Sequence, residues 1–357
     1  MKRFVKRGFL LFGAILVLFV LTLAGSVHAA NRVVPDTYST IQGALNAAAK
    51  GDVIRVRTGT YNETIYINTD NLTLFSVDGP GKAVIKGSTV TTSLGLNTEA
   101  IPGGGATIYI GPNVGVTIDG FSITPGSTSN ASGIVHTGGN PASPVTIKNN
   151  TLEDFTSFGF YGVWGDTNSV GYMTNNTFSF TGNTVRNCAT GVFLERLSQC
   201  TIRIDSNTIE GCGTGIDIGV FLSSTLFMND NIVRDGISGI YVANNTTSSV
   251  TAEGNSIVSN SEYGMYCDTG MIDAKGNWWG DSSGPRDQKT LPGTPNYNNP
   301  NGGGNRVSSF VDYNPWLASD PAAPAPPSDG GGGCAAGIPT PAMLFLLIPI
   351  GFLLLKK

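Results

Sequence analysis

Asn183-Thr-Val-Arg-Asn-Cys-Ala-Thr-Gly-Val192, Asn207-Thr-Ile-Glu-Gly-Cys-Gly-Thr-Gly-Ile216 and Asn231-Ile-Val-Arg-Asp-Gly-Ile-Ser-Gly-Ile240 are three renderings of one phrase. The leading asparagine recurs at Asn255 and Asn277, so the copies lie 24, 24, 24 and 22 residues apart. A fixed period of this length marks stacked supersecondary units, none of which can bury its apolar face alone.

Each copy divides into three short alternating strands. The first puts Val185, Ile209, Val233 and Ile257 at one position. After a glycine, the second aligns Val192, Ile216, Ile240 and Met265, then Leu194, Ile218, Val242 and Cys267. The third aligns Ile202, Leu226, Val250 and Ile272, then Ile204, Met228, Ala252 and Ala274. Apolar residues at i and i+2 of a strand point to one face. Three strands per repeat, separated by Gly and Asn turns, make one coil of a parallel β-helix. Coils then stack about 4.8 Å apart with like residues on like. Asparagine suits the turn because it tolerates left-handed backbone, and its amide can pair with the copy in the next coil.

Weaker coils are expected upstream. Val116-Thr-Ile-Asp-Gly-Phe-Ser-Ile123 echoes Val145-Thr-Ile-Lys-Asn-Asn-Thr-Leu152, and Leu72-Thr-Leu-Phe-Ser-Val77 reads as an earlier turn. The Gly-rich stretches 87–106 and 124–143 are expected to protrude as loops. The open ends of the stack need covers. Ser39-Thr-Ile-Gln42 reads as a capping box, and Ile41, Ala44, Leu45 and Ala48 fall on one helical face. At the far end, Trp278 and Trp279 stand where the repeat stops, and Tyr313 and Trp316 lie in a second aromatic cluster.

The termini carry a different signal. Lys2, Arg3, Lys6 and Arg7 precede an uncharged apolar run, and Val27-His28-Ala29 closes it in the manner of an export signal cleaved at Ala29; an uncleaved anchor is the alternative. Residues 338–355 hold no charge, span roughly 27 Å if helical, and precede Lys356-Lys357, as a membrane segment with a cytoplasmic basic end does. A Pro-rich then Gly-rich linker, 318–337, contains Cys334. These boundaries divide the chain into an export signal (1–29), a β-helix body (30–317), the linker and a C-terminal anchor (338–357). They place the body at the cell surface or outer envelope, with the export machinery and the membrane as partners.

The chain has 357 residues, 48 of them Gly, only 13% charged, and a net charge of −4. That balance offers no basic footprint for nucleic acid. Five cysteines without a CxxC pair give zinc and thioredoxin chemistry nothing to build on, and no cofactor is implied. Of two histidines one lies in the export signal, leaving His136.

Ser-Thr-Ile-Gln-Gly-Ala-Leu-Asn-Ala-Ala-Ala-Lys-Gly-Asp-Val-Ile-Arg-Val-Arg-Thr-Gly-Thr-Tyr-Asn-Glu, residues 39–63, resembles the N-terminal cap and first coil of pectin-lyase-like right-handed parallel β-helix proteins. The Asn-x-Ile coils and the closing Asn277-Trp-Trp-Gly-Asp-Ser-Ser-Gly-Pro285 resemble carbohydrate-binding-type repeats of bacterial surface proteins. The Gly-Gly-Gly-Gly-Cys334, apolar span and basic tail resemble bacterial C-terminal sorting signals of the Synergist type, which implies processing at Cys334 by sorting machinery; a plain membrane tail is the alternative. The resemblance implies an all-β, right-handed fold that hosts lyases, hydrolases, esterases and inert stalks alike. The set of Asn-Thr-Asp, Asp-Asp, Gly-His-Gly and Arg-Ile-Lys motifs that marks the pectin hydrolases is missing, as are the basic partner of the lyases and the Asp-Asp-Arg set of the esterases.

On the outer face of the second strand, one column reads Phe193, Asp217, Tyr241, Tyr266 and its neighbour Glu195, Gly219, Ala243, Asp268. Exposed aromatics on a polar sheet are what sugar rings stack on. The expected role is non-catalytic, binding of polysaccharide or a cell-wall glycan or action as an adhesin or stalk. A purely structural surface spacer, and a polysaccharide lyase or glycoside hydrolase with Glu195 and Asp217 as an acid/base pair, remain open. Arg186, Glu210 and Arg234 are expected to form a surface charge ladder. Cys188 and Cys212, one coil apart, lie within disulfide range, with two buried thiols the alternative.

Overall fold

The apolar columns of the repeat stack in register. In the computed structural model, residues 29–88, 105–126, 130–162, 173–244, 247–288 and 297–323 are described; the export signal before Ala29, Cys334 and the C-terminal apolar span lie outside them. The described chain winds into three long parallel sheets, with a fourth of two short strands, Pro285–Arg286 and Gly304–Arg306, near its end. Sheet A has eleven strands, from Asn31–Val34 to Val311–Asp312; sheet B has eight, from Gly59–Asn62 to Ser256–Val258. Sheet C carries eight coil strands, from Ile65–Ile67 to Tyr263–Thr269, with the short Met173–Thr174 added on Thr190–Ser198. The register matches the repeat: Val185, Ile209, Val233 and Ile257 are successive partners. So are Val192, Ile216, Ile240 and Met265, and Ile202, Leu226, Val250 and Ile272. All are buried in one continuous core.

The asparagine ladder is present and longer than the repeat suggests, because Asn150 joins it. Nδ2 of Asn150, Asn183, Asn207, Asn231 and Asn255 each donates to Oδ1 of the next, at 3.1, 3.2, 2.9, 2.9 and 2.8 Å, ending at Asn277. Each receiving oxygen also accepts the backbone N–H of the preceding asparagine. The left-handed residue of this corner is not the asparagine, as the sequence led us to expect, but the one before it: Gly182, Ser206, Asp230, Gly254 and Gly276, with φ from 55° to 70°. The asparagine is thereby free to point inward and satisfy corner groups that burial would otherwise strand.

The caps differ in detail from their reading. The helix Ile41–Asn46 is capped by Thr40, whose hydroxyl accepts from Gly43 N. Instead of completing a box, Gln42 turns onto the open edge of sheet C, accepting from Tyr66 N and donating to Tyr66 O. The Glu63 carboxylate takes the free N–H groups of Ile41 and Gln42. At the other end Trp279 is fully buried over the last coil, while Trp278 pairs with Ser256 and prolongs sheet B. Gly284, at φ 84°, lets Trp316 lie where a Cβ would be only 2.4 Å from the indole.

The Gly-rich stretch 124–143 is not simply a loop: Asn130–His136 is a strand of sheet C, paired with Gly105–Ile110. The latter begins at the end of the stretch 87–106, whose residues 89–104 lie outside the described residues. Glycine and alanine hide their alternation, since a strand position without a bulky side chain leaves no pattern. Among the described residues no helix is long and apolar enough to cross a membrane.

Candidate aromatic and carboxylate face on sheet C

Phe193, Asp217, Tyr241 and Tyr266 are successive register partners on the outer face of sheet C, and all four are partly exposed. The column extends beyond these four. Tyr66, Tyr109, Val135 and Tyr161 precede Phe193 in the same register, giving eight coils in which Asp217 alone is charged. The upstream part is closed: Tyr109, Val135 and Tyr161 are fully buried with Ala106 in a second small core outside the sheet. Phe193 packs on the edge of this core, and the accessible face begins there.

The rings of the column stack on one another. Tyr161 and Phe193 lie 5.3 Å apart at 12°, with Phe158 against both at 4.8 and 5.5 Å. Tyr241 and Tyr266 lie 5.7 Å apart at 11°, and the edge of Tyr263 covers Tyr266 at 4.8 Å. Their faces are therefore turned along the helix axis toward each other, and within each stack only edges meet solvent. Between the two stacks sits Asp217. Aspartate reaches less far from the backbone than Phe or Tyr, so Phe193 and Tyr241 overhang it from opposite sides. They are two coils apart, about 9.6 Å. The result is a slot with aromatic walls and a carboxylate floor.

The rim is polar. In the next outward column Thr190, Thr214 and Ser238 are register partners, a row of hydroxyls between Phe158 and Tyr263. On the other side stands Gly219, where a Cβ would come within 2.7 Å of the Glu195 carbonyl oxygen, so the strand is bare beside Asp217. Tyr161 donates to the Glu195 carboxylate, and Tyr241 to Asp268 at 2.5 Å. That bond and burial raise the Tyr241 hydroxyl to about 12. Arg196 is drawn to Glu195 at 3.5 Å. Among the described residues Asp217 has no such partner, and burial pushes its carboxyl to about 6. Beyond Tyr266, a cavity of about 250 Å³ opens against Tyr263, Asp268, Arg306 and Phe310.

The structure places the sequence candidates Phe193, Asp217, Tyr241 and Tyr266 in one register with Glu195 in the neighbouring column, and adds Tyr161, Phe158 and Tyr263, which the sequence did not single out. Tyr161 lies 32 residues before Phe193 rather than 24, so the period does not reach it. Other candidates resolve into structural roles. Glu210 bridges Arg186 and Arg234 at 2.5 and 2.6 Å, and these two guanidinium groups hold its carboxyl below the usual range. His136 is fully buried: Nδ1 accepts from Gly138 N, so Nε2 carries the proton and donates to Val114 O. Burial lowers it to about 4, a neutral imidazole without access to solvent. Asn68-Thr69-Asp70 matches one pectin-hydrolase triplet, yet Asp70 is bound by Lys50, Gly115 N and Ser143 at the first corner, far along the chain of coils from Asp217. Cys188 and Cys212 are buried free thiols one coil apart. The hydrogen bond Cys188 shares with Cys212, with burial, pushes its thiol well above the ordinary range.

The profile of the right-handed β-helix region matches residues 62–219 and 106–278, more than half of the chain. This protein belongs to the right-handed β-helix family. No curated protein matches it. Among solved structures it is similar to XylC in complex with xylose (11% identity, TM-score 0.41, covering 71% of this chain and 68% of that one). It is also similar to a pectin methylesterase from Aspergillus niger (14%, 0.40, 84% and 89%). A third is the iota-carrageenase from A. fortis (12%, 0.38, 68% and 56%).

Proposed function

We propose that this right-handed β-helix protein binds polysaccharide without cleaving it, through the outer face of sheet C. The observation that carries the reading is the break in the aromatic column at Asp217, where two ring faces, otherwise consumed by stacking, are left open toward each other. A sugar ring presents C–H groups on its faces and hydroxyls at its rim, which suits aromatic walls flanked by Asp217, Thr190, Thr214 and Ser238. A contact distance of about 4.5 Å on each wall accounts for the separation of Phe193 and Tyr241 with one ring between them. The walls are held in place by their own stacks, so little ordering accompanies binding. Each ring contact is worth about 1 kcal/mol, roughly fivefold in affinity, which makes single-site binding weak and favours many tethered copies.

The test is a glycan panel on the purified full-length chain, with Tyr241→Ala and Tyr266→Ala compared. Tyr241→Ala removes a wall and should reduce affinity about fivefold; Tyr266→Ala, one ring further back, should have a smaller effect. A native chain that binds nothing in the panel, or a Tyr241→Ala variant of unchanged affinity, leaves the rigid spacer. The raised carboxyl of Asp217, diagonally across from the Glu195 carboxyl, favours one second reading, a glycosidase. Release of reducing ends from a bound glycan, lost in Asp217→Asn, would replace binding by hydrolysis.

The same proposal places the body outside the cytoplasm, tethered by residues 338–357 and processed at Ala29 and Cys334. Deleting 337–357 should release the chain from the membrane fraction; retention after high-salt washing would refute the tether. An unchanged mature mass in Cys334→Ala would leave a plain membrane tail.

A further inference from the structure

Resting on that reading, we infer that the slot over Asp217 selects the N-unsubstituted amino sugar units of a cationic polysaccharide. The charged side chains that flank the slot are carboxylates, apart from Arg196, which is paired with Glu195; Arg306 lies further on, over the Tyr263 ring. The floor is a carboxylate that has no hydrogen-bond donor and no ion pair among the described residues, and burial lifts it to about 6. The walls, Phe193 and Tyr241, present ring faces, the negative side of the aromatic quadrupole. At the diagonal corner on the Phe193 coil stands Glu195, which accepts from the Tyr161 hydroxyl besides its ion pair with Arg196, and one coil beyond Tyr241 stands Asp268, which accepts from the Tyr241 hydroxyl. Arg196, on the preceding strand, is taken up by Glu195 at 3.5 Å.

The surroundings of Asp217 on all three strands are otherwise uncharged: Thr190 and Phe193 before it, Thr214 and Gly219 beside it, Ser238, Tyr241 and Ala243 after it. A half-buried carboxylate left without a partner is a cost to the fold, and the partner that removes it is a cation. An ammonium between two ring faces and above a carboxylate meets a cation–π contact on either wall and a charge-assisted hydrogen bond below. A neutral sugar satisfies the walls but leaves the charge unmatched, and a polyuronate meets repulsion from Asp217, Glu195, Asp268 and a chain of net charge −4. The hydroxyl row of Thr190, Thr214 and Ser238 supplies partners for the remaining sugar hydroxyls, which a bare alkylammonium would not use.

The experiment titrates the full-length chain calorimetrically with oligoglucosamine, its fully N-acetylated counterpart and oligogalacturonate. At about pH 6.5 Asp217 is largely ionised and the sugar amine substantially protonated. The expected result is about tenfold tighter binding of oligoglucosamine than of the acetylated oligomer, the size of one charge-assisted contact. Asp217→Asn should abolish that difference by lowering the affinity for oligoglucosamine to that of the acetylated oligomer. Equal affinities in the native chain, or tightest binding of oligogalacturonate, overturn the selection of amino sugars and leave polysaccharide binding standing. Binding of none of the three, with other glycans of the panel also inert, removes both readings. Capture of a basic peptide in preference to oligoglucosamine overturns the inference in favour of a protein partner.

Discussion

Asp217→Asn should stabilise the fold. In the native chain this carboxylate is half-buried, unpaired, and raised to about 6 from an ordinary 3.8. That difference corresponds to roughly 3 kcal/mol of destabilisation by the ionised form, and partial exposure to water lowers it to about 1–2 kcal/mol. The sign follows from linkage. A carboxyl whose folded value lies above its unfolded one binds protons more tightly when folded, so ionisation at neutral pH weakens the fold. The penalty is complete above about pH 6 and fades as pH falls toward 3.8. Asparagine is isosteric and neutral, so the variant should gain about 1–2 kcal/mol at pH 7 and lose the advantage as pH falls to about 4. Glu195 accepts from Tyr161, and Asp268 from Tyr241, whose hydroxyl, raised to about 12, does not titrate in this window. The assay is urea unfolding of native and variant chains across pH, with the Asp217 carboxyl followed by NMR. A carboxyl titrating near 4, or a variant no more stable at pH 7, would mean that the slot is open water and that its electrostatic selectivity fails.

Asn231→Ala removes four hydrogen bonds at 2.7 to 3.0 Å and strands the buried N–H of Asn207; urea unfolding should show a loss of about 3 kcal/mol or more, and a loss below about 1 kcal/mol would demote the ladder. Acid should unfold the chain partly through His136. Its folded value of about 4 lies below the unfolded 6.5, so its contribution, about 3 kcal/mol, is present above pH 6.5 and lost as pH falls through 4. His136→Gln should flatten the pH dependence of the midpoint over that window, and an unchanged slope would exclude the imidazole. Oxidation should join Cys188 and Cys212 without rearranging the coils, closing a loop that stabilises by about 3 kcal/mol. Peptide mapping that finds both thiols free after oxidative refolding refutes the bridge.

The sequence by itself determined the coil. Val185, Ile209, Val233 and Ile257 had to stack because a repeat with one apolar position per strand buries it only against its own copy. The same logic put Phe193, Asp217, Tyr241 and Tyr266 in one outward column, a statement about register that needs no coordinates. Two things escaped it. Coils of irregular length, holding Tyr109 and Tyr161, break the period, so the second core that closes the upstream half of the face is invisible in the text. Ring orientation is the other. A column of aromatics is legible in one dimension, but whether the rings offer faces or edges depends on how neighbours four to six ångströms apart pack in three. Stacking consumed the faces at every step where ring followed ring. Only the tertiary structure could decide that the single carboxylate, by interrupting the stack, is where the aromatic faces come free.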